Sequence, residues 1–333
     1  MIPFPVRLPA RPTLVVGGYG YRNAGDEAML AGMLRLLGRD GITVVSRAPA
    51  ETAAVHDVRS IGLAAAPRAM LAHPGVVIGG GGLFGRDMGA LGRLLPLFGL
   101  LVAATGRDVA LLGIGVDRDM PASSARLLAM LGARATSVAV RDAESRAILA
   151  SLGVDARLQP DLSSLVPSAG RDAGVGRLRS IGLDPDRRPV VGLCLTAVDP
   201  ALADRLHAAV LAAIDALPGV DFCLVPLSRH PFVAAHNDEI AARRLAAERP
   251  RLRVLVPPDD PAELLAVFEA FAAAVCMRYH SLLFADRAGI PIVPIPYAEK
   301  CLHWLAEHGL VAADPSPSSM LAGLGAALGE AIA

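Results

Sequence analysis

The feature that most constrains this fold is a regular alternation of short, unbroken apolar runs with longer segments of helical periodicity. Each run is apolar at consecutive positions, so the predicted strands are expected to be covered on both faces, as parallel strands are. The predicted strands are residues 13–17, 42–46, 76–79, 109–113, 137–140, 190–195, 222–225, 252–256, 273–277 and 291–295. The predicted helices are residues 24–37, 90–104, 123–131, 143–152, 200–217, 237–247, 261–271, 281–288, 301–308 and 318–332.

The alternation stops once, between residues 167 and 189, where Gly, Arg, Asp and Ser replace the long apolar runs. A chain of 333 residues is also longer than one hydrophobic core usually serves. We therefore predict an α/β protein with two Rossmann-like domains, 1–166 and 190–333, facing a cleft. The boundary segment 167–189 has room for a short helix, and the last helix could pack back on the first domain.

Composition narrows the class of protein. Lys plus Arg and Asp plus Glu both number 32, so the basic excess that nucleic-acid binding requires is missing. The four cysteines lack the spacing of a metal site and are expected to be buried free thiols in a reducing, cytoplasmic compartment. Residues 1–12 lack the apolar region of a signal peptide. The apolar stretch 94–105 is shorter than the roughly 20 residues of a spanning helix, which favours a buried helix and leaves peripheral membrane contact open.

The first motif, Gly17-Gly-Tyr-Gly-Tyr-Arg-Asn-Ala-Gly-Asp-Glu-Ala, joins the first strand to the first helix. Its glycines, Gly18 among them, allow a tight turn and close approach to a ligand. Asn23 and Asp26 either cap the helix or face the cleft, where they would bind sugar hydroxyls or orient a reacting group. A carboxylate is a poor partner for phosphate, so Asp26 is assigned to the acceptor or to a role as base.

The second motif is the glycine run at residues 79–85, which is predicted to form a turn. Its match to a dinucleotide-binding fingerprint is weak, because the acidic residue expected after the next strand is missing. NAD binding is therefore disfavoured, while Gly80, Gly81 and Gly82 could direct backbone N–H groups to an anion or a sugar. Arg141 lies at a strand end and faces either the cleft or solvent, beside a predicted helix cap at Asp142. Asp161 is predicted to be a turn or cap residue.

The third motif is Met277-Arg-Tyr-His-Ser-Leu, at the end of a predicted strand. Arg278 can hold a carboxylate or phosphate with two hydrogen bonds, and His280 can transfer protons near neutral pH. A helix beginning at Ser281 would add its positive dipole end, and Lys300 could close over the same anion. His230 and His236 lie on a loop that could line the cleft. We expect the other histidines, including His56, His73, His207 and His308, to be surface residues.

The ordered set of motifs resembles the polysaccharide pyruvyl transferase family, in particular the bacterial branch that modifies a cell-wall polymer for S-layer anchoring. Nearly the whole chain takes part in the resemblance, and no piece is decisive alone. The resembling segments are the opening glycine motif, residues 45–52, 79–83, 113–115 and 140–142, Met277-Arg-Tyr-His-Ser-Leu and Tyr297-Ala-Glu-Lys.

The resemblance implies a GT-B-like fold and phosphoenolpyruvate as donor. No cofactor is expected, and no set of ligands in the sequence demands a metal, although the sequence does not determine metal dependence. The product would be a pyruvate ketal on a sugar of a cell-surface glycan or its lipid-linked precursor, made at the inner face of the membrane if the precursor is lipid-linked. His280 and Asp26 are then the predicted catalytic residues. The predicted substrate contacts are Arg278, Lys300, Arg141, Asn23, Gly18, Gly80, Gly81, Gly82, Ser281 and Tyr297.

The chain departs from that branch at residues 84–88, 115–117 and 298–299, which leaves the acceptor open among cell-wall polymer, capsule and exopolysaccharide. Two other functions stay open. A nucleotide-sugar glycosyltransferase of the same architecture would use Glu299 to bind ribose. A non-catalytic glycan-binding protein is less favoured, since Arg278, His280 and Lys300 are all present. The sequence does not determine the oligomeric state.

Overall fold

The computed structural model describes residues 7–85, 91–196, 200–249 and 251–329, which form two compact units. The first unit comprises the chain up to Tyr21 and Gly25–Val166, and the second comprises Arg22–Ala24 and the chain from Pro167 onward. The predicted residues 86–88, the first residue of the helix expected at 90–104, and 330–332 lie outside the described part. Within the described part, no helix is long and apolar enough to cross a membrane.

The first unit is a seven-stranded parallel sheet with helices on both faces. Its elements are β1 Thr13–Val16, α1 Ala24–Leu37, β2 Ile42–Ser46, α2 Pro49–His56, β3 Arg59–Gly62, α3 Ala66–Ala72, β4 Gly75–Phe84, α4 Leu91–Ala104, β5 Asp108–Val116, α5 Ala122–Gly132, β6 Ser137–Val140, α6 Ala143–Ser151 and β7 Arg157–Leu158. The strand order is β3-β2-β1-β4-β5-β6-β7. Both faces of β1, β2, β4, β5 and β6 are buried almost throughout, as the unbroken apolar runs predicted, whereas the edge strands β3 and β7 are more exposed.

The second unit is a five-stranded parallel sheet in the order β10-β9-β8-β11-β12. Its elements are α7 Arg171–Ser180, β8 Val190–Cys194, α8 Pro200–Ala216, β9 Asp221–Leu224, α9 Asp238–Ala246, β10 Leu252–Val254, α10 Pro261–Glu269, β11 Ala273–Cys276, α11 Tyr279–Arg287, β12 Ile292–Pro294, α12 Glu299–Glu307 and α13 Pro317–Leu328. One core joins α8, α9 and α13 to the sheet, and α13 is therefore part of the second unit.

Both sheets reverse their strand order once, and each reversal is a place where open α/β sheets bind ligands at the carboxyl ends of the strands. In the first unit the reversal lies between β1 and β4. In the second it lies between β8 and β11. The opening glycine motif follows β1, and Arg278 follows β11. The topology therefore brings two of the predicted motifs to the two reversal points.

Several expectations are corrected. The glycine run is the second half of β4 rather than a turn, because Gly79, Gly81 and Gly82 pair with β5. The two units divide at residue 167, the start of the predicted boundary segment, and α7 occupies the room left there for a short helix, with Gly174 against the backbone of α10. The short strands β3 and β7 and the helices α2 and α3 were not predicted, since their segments lack a long apolar pattern.

Candidate functional site

The turn after β1 is built around a buried tyrosine. Tyr19 is fully buried, and its hydroxyl donates a hydrogen bond of 2.7 Å to the carbonyl oxygen of Gly79 on β4. Gly80 has φ +75°, and a Cβ there would lie 2.3 Å from the Tyr19 hydroxyl. Burial, and then the negative charges of Asp26 and Glu27, raise the pKa of Tyr19. The neutral Tyr19 side chain therefore links the turn to β4 through its hydroxyl. Gly80 leaves space for that hydroxyl because it has no Cβ.

The Asp26 carboxylate lies against the backbone of two predicted substrate contacts. A Cβ on Gly81 would be 2.8 Å from Asp26 Oδ1, and one on Gly18 would be 3.6 Å from Oδ2. Gly81 has φ +127°, which L side chains rarely adopt. The structure thus brings Gly18, Gly81 and Asp26 together at the strand reversal of the first unit. Asp26 is partly exposed, as a group that contacts a substrate must be.

Glu27, next to Asp26, has a structural task that sequence reasoning missed. Its Oε1 accepts the N–H of Gly20 at 2.8 Å, and its Oε2 lies 2.9 Å from His56 Nε2. His56 is only 3% exposed, so the prediction that it is a surface residue is wrong. Glu27 thus contacts both Gly20 in the glycine turn and His56 at the end of α2. These two contacts stabilise the backbone around Asp26.

Arg141 is buried within the first unit rather than solvated. Its guanidinium lies 3.6 Å from the carboxylate of Asp142 and 3.7 Å from that of Asp161. A Cβ on Gly115 would stand 2.8 Å from Arg141 Nη2, so that glycine provides the space for the arginine. Asp142 and Asp161 also cap their helices as predicted, each accepting a backbone N–H. Gly82 lies nearby, since a Cβ there would be 3.8 Å from Arg141 Nη2.

Arg278 forms the centre of the polar cluster in the second unit. It is the N-cap residue of α11, directly after β11 and Met277. Its Nε and Nη2 donate to the two carboxylate oxygens of Asp238 at 2.5 and 2.7 Å, and Nη2 also donates to Thr196 Oγ1 at 3.1 Å. Thr196 follows β8, the neighbour of β11 at the strand reversal. The predicted anion-binding fork is therefore held on one edge by an internal carboxylate.

Asp238 is the residue of this cluster that sequence reasoning missed. Its side chain is 2% exposed, and its Oδ2 also accepts the N–H of Ser228 at 3.1 Å. Ser228 pairs in turn with Asn23 in an antiparallel bridge, which explains why residues 22–24 belong to the second unit. In sequence, Asp238 appears as one acid in the first turn of α9, a position that dipole effects alone would explain.

His280 lies in the first turn of α11, two residues after the cap. The helix begins at Tyr279, earlier than predicted, so His280 has a helical rather than a loop position. Its ring lies 5.6 Å from that of Tyr279 and 6.1 Å from that of Phe284. Ser281 is fully buried, and its hydroxyl donates to the Arg278 carbonyl at 2.5 Å. The Ser281 hydroxyl is thereby bonded to the start of the helix, whereas His280 is partly exposed as a residue and its Nε2 atom is buried.

Tyr297 and Lys300 lie at the carboxyl end of β12, next to β11. The Arg278 guanidinium carbon is 5.9 Å from the centre of the Tyr297 ring, a cation–π distance. Lys300 stands in the first turn of α12, which begins at Glu299, again earlier than predicted. Lys300 makes no ion pair with any residue that the structure describes. The second unit thus gathers Arg278, Tyr297 and Lys300 at neighbouring strand ends.

The four cysteines are free and buried, as predicted. Burial raises the pKa of Cys223 and of Cys276 to about 12. Cys194 lies opposite Cys276 in the pairing of β8 with β11, and burial raises its pKa as well. Thiols held protonated in this way are poor nucleophiles and metal ligands. We therefore assign them to the core of the second unit.

The comparisons with known proteins agree on a family and a fold. Residues 23–299 match the family model described as polysaccharide pyruvyl transferase. A comparison with curated proteins gave no match.

Three solved structures illustrate the likeness in fold. HepE of Anabaena in complex with UDP-glucose is 13% identical, with TM-score 0.65 over 96% of this chain and 90% of that one. UDP-GlcNAc 2-epimerase from Methanocaldococcus jannaschii is 9% identical, with TM-score 0.65 over 96% and 93%. ADP-heptose lps heptosyltransferase II of E. coli is 15% identical, with TM-score 0.53 over 95% and 98%. The fold is thus GT-B-like, as the sequence predicted.

Proposed function

This chain belongs to the polysaccharide pyruvyl transferase family, and on that premise we propose that it transfers pyruvate from phosphoenolpyruvate to a sugar. The product is a ketal that bridges two hydroxyl groups of a glycan, and phosphate is released. The family match across residues 23–299 is the observation that carries the proposal, since it includes both Asn23-Ala-Gly-Asp, the second half of the opening motif, and Arg278-Tyr-His. The acceptor belongs to a cell-surface or cell-wall polysaccharide or its lipid-linked precursor, and the reaction takes place in the cytoplasm.

The polar cluster of the second unit supports a doubly charged anionic donor. Phosphoenolpyruvate carries a carboxylate and a phosphate, and both require cationic partners. Arg278 supplies a guanidinium whose plane is fixed by Asp238 and Thr196, so little side-chain freedom is lost on binding. The N-terminus of α11 adds backbone N–H groups and a positive dipole end. Lys300 contributes a second positive charge from α12.

His280 is the proton carrier in this mechanism. A proton added to the methylene carbon of phosphoenolpyruvate turns it into a methyl group and leaves an oxocarbenium-like carbon beside the carboxylate. One sugar hydroxyl attacks that carbon and the second displaces the phosphate. The two hydroxyl protons balance the new methyl hydrogen and the released hydrogen phosphate. An imidazole can donate the first proton and accept one from a hydroxyl, which is general acid–base catalysis.

The first unit supplies groups suited to the acceptor. The Asp26 carboxylate beside Gly18 and Gly81 can accept hydrogen bonds from sugar hydroxyls and draw a proton from one of them. Asn23, which belongs to the second unit, offers an amide to the acceptor, and Arg141 remains a predicted substrate contact of the first unit. The acceptor is not tied to the S-layer branch, since residues 84–88, 115–117 and 298–299 differ from it.

The test is a thermal-shift titration of the purified protein with phosphoenolpyruvate, beside UDP, GDP and NAD. A ligand at 100 times its dissociation constant stabilises the folded state by about 2.7 kcal/mol, which raises the melting temperature by several degrees. We expect phosphoenolpyruvate to give this shift in the wild type and in the control Arg244→Gln, and to lose it in Arg278→Gln. A shift with UDP or GDP and none with phosphoenolpyruvate would instead favour a nucleotide-sugar glycosyltransferase, with the exposed Glu299 as its ribose contact.

The role of His280 is tested separately, since binding and proton transfer are different steps. His280→Gln is expected to keep the thermal shift with phosphoenolpyruvate while phosphate release in the presence of an acceptor falls by about 10²–10⁴-fold. Turnover that stays near the wild-type value would remove His280 from the acid–base role.

A further inference from the structure

One face of the first unit carries exposed leucines over three adjacent helices. Helices α3, α4 and α5 cover the same side of the sheet and pack on it through Met70, Val102 and Leu128. Their outer surfaces expose Leu71, Leu94, Leu97, Leu101 and Met130, each between 41% and 51%. We call these five residues the leucine face. We propose that this face docks the protein on an anionic membrane surface.

The geometry of α4 explains why the leucines form a stripe. Gly92, Pro96, Gly99 and Val102 are buried, and a Cβ on Gly99 would touch the side chains of Leu131 and Ile78. Leu94, Leu97 and Leu101 follow at helical spacing on the opposite side. Small residues therefore seat the helix closely on the sheet, while three long apolar side chains point outward. The sequence favoured a buried helix here. Only one side of α4 is buried, and the other side is exposed.

The charged residues of the three segments that form the helices of the leucine face all have one sign. Residues 66–74, 91–107 and 122–136, which contain the three helices, include Arg68, Arg93, Arg107, Arg126 and Arg134 and no Asp or Glu. The whole chain, by contrast, has equal numbers of basic and acidic residues. None of these five arginines forms an ion pair with any described residue.

Four arginines of the second unit whose side chains are between 35% and 55% exposed behave differently. Arg171, Arg179, Arg205 and Arg249 each pair with an aspartate within 3.2 Å. The overall composition of the chain therefore does not by itself explain why the five arginines around the leucine face lack ion pairs with described residues. Four of them, Arg68, Arg93, Arg126 and Arg134, are exposed beside the leucines.

An anionic lipid surface satisfies both features at once. Leucines can enter the boundary between headgroups and acyl chains, while arginines bind lipid phosphates with paired N–H groups. Arginines near such a surface add attraction that falls off within a Debye length and weakens as salt is added. A second copy of this chain would bring two basic rims together, which disfavours a symmetric dimer through this face. The inference concerns where the protein docks, and it holds whichever glycan acceptor is used.

Vesicle flotation tests the proposal with the full chain and needs neither donor nor acceptor. Vesicles of phosphatidylcholine with phosphatidylglycerol are compared with phosphatidylcholine alone, at low and at high salt. We expect flotation with the anionic vesicles at low salt and loss of it at high salt. Leu94→Ser/Leu97→Ser/Leu101→Ser should abolish flotation, and Arg93→Gln/Arg126→Gln should lower the partition coefficient roughly tenfold or more.

Matched controls distinguish docking through the leucine face from non-specific adsorption to vesicles and from misfolding. Val311→Ser removes the most exposed large apolar side chain among the described residues of the second unit, at 86%, and Arg244→Gln removes an exposed arginine there. Both controls should float like the wild type, and circular dichroism should show that all variants are folded. Flotation that is absent, or equal in the leucine variant, would overturn the proposal. So would a concentration-dependent dimer in light scattering that the leucine variant abolishes. Because phosphoenolpyruvate binding is measured without vesicles, either proposal can fail alone.

Discussion

Replacement of Asp238 by Asn is the most informative perturbation of the second unit, because it removes one charge from a buried pair at nearly constant volume. The Asp238 side chain is 2% exposed and that of Arg278 is 15% exposed. Breaking a buried pair by removing one partner costs about 3–5 kcal/mol. An asparagine oxygen can still accept one of the two guanidinium hydrogen bonds, so we expect a loss near the lower end, about 3 kcal/mol.

The same change should weaken phosphoenolpyruvate binding. Arg278 loses the carboxylate that fixes its guanidinium through Nε and Nη2. If the arginine holds the donor, a misplaced guanidinium raises the dissociation constant and KM by about tenfold or more, while a merely structural role would leave both unchanged in the folded fraction. Urea unfolding gives the stability, and the thermal-shift titration gives the affinity.

Asp221→Asn is the matched control. Asp221 also pairs with an arginine in the second unit, but Arg188 is 42% exposed and lies 3.5 Å away. A pair with one exposed partner and a long contact is close to a surface ion pair, which contributes about 0–1 kcal/mol. Equal effects of the two substitutions, or an Asp238→Asn variant with near wild-type stability and affinity, would refute the reasoning that the buried carboxylate holds Arg278 in place.

Three further predictions concern the turn, a loop and the thiols. Gly80→Ala should cost about 1–3 kcal/mol more than Gly106→Ala in urea unfolding, since both glycines have similar positive φ but only Gly80 faces the Tyr19 hydroxyl; equal costs would contradict this. His230 accepts the N–H groups of residues 232 and 233 through Nδ1, and burial followed by His236 lowers its pKa. Because its folded pKa lies below the unfolded value of about 6.5, its contribution to stability is present above that pH and is lost as pH falls. The protection of the amides in this loop, taken relative to their intrinsic exchange rates, should therefore decrease on acidification in the wild type and not in His230→Gln. The buried cysteines should resist a thiol reagent at neutral pH until the protein is unfolded, and rapid labelling of the native protein would contradict their assignment to the core.

The sequence by itself determined the α/β class and the positions of ten strands, all those described except the edge strands β3 and β7. Residues 42–46 and 137–140 are strands with the predicted limits, and α1 spans the predicted 24–37. These predictions succeed because a strand covered on both faces needs a continuous apolar run, which is a local property of the chain. The family could also be identified, because its motifs are short and keep their order along the chain.

The tertiary structure alone decided what the polar side chains touch. Asp238 meets Arg278 from 40 positions away, and Glu27 meets His56 from 29, so no local pattern marks either pair. The glycine run has the composition of a turn, yet it forms a strand because β5 provides partners for its backbone. Such contacts depend on which elements become neighbours in the folded sheet, and that is set by the packing of distant segments rather than by the residues of any one of them.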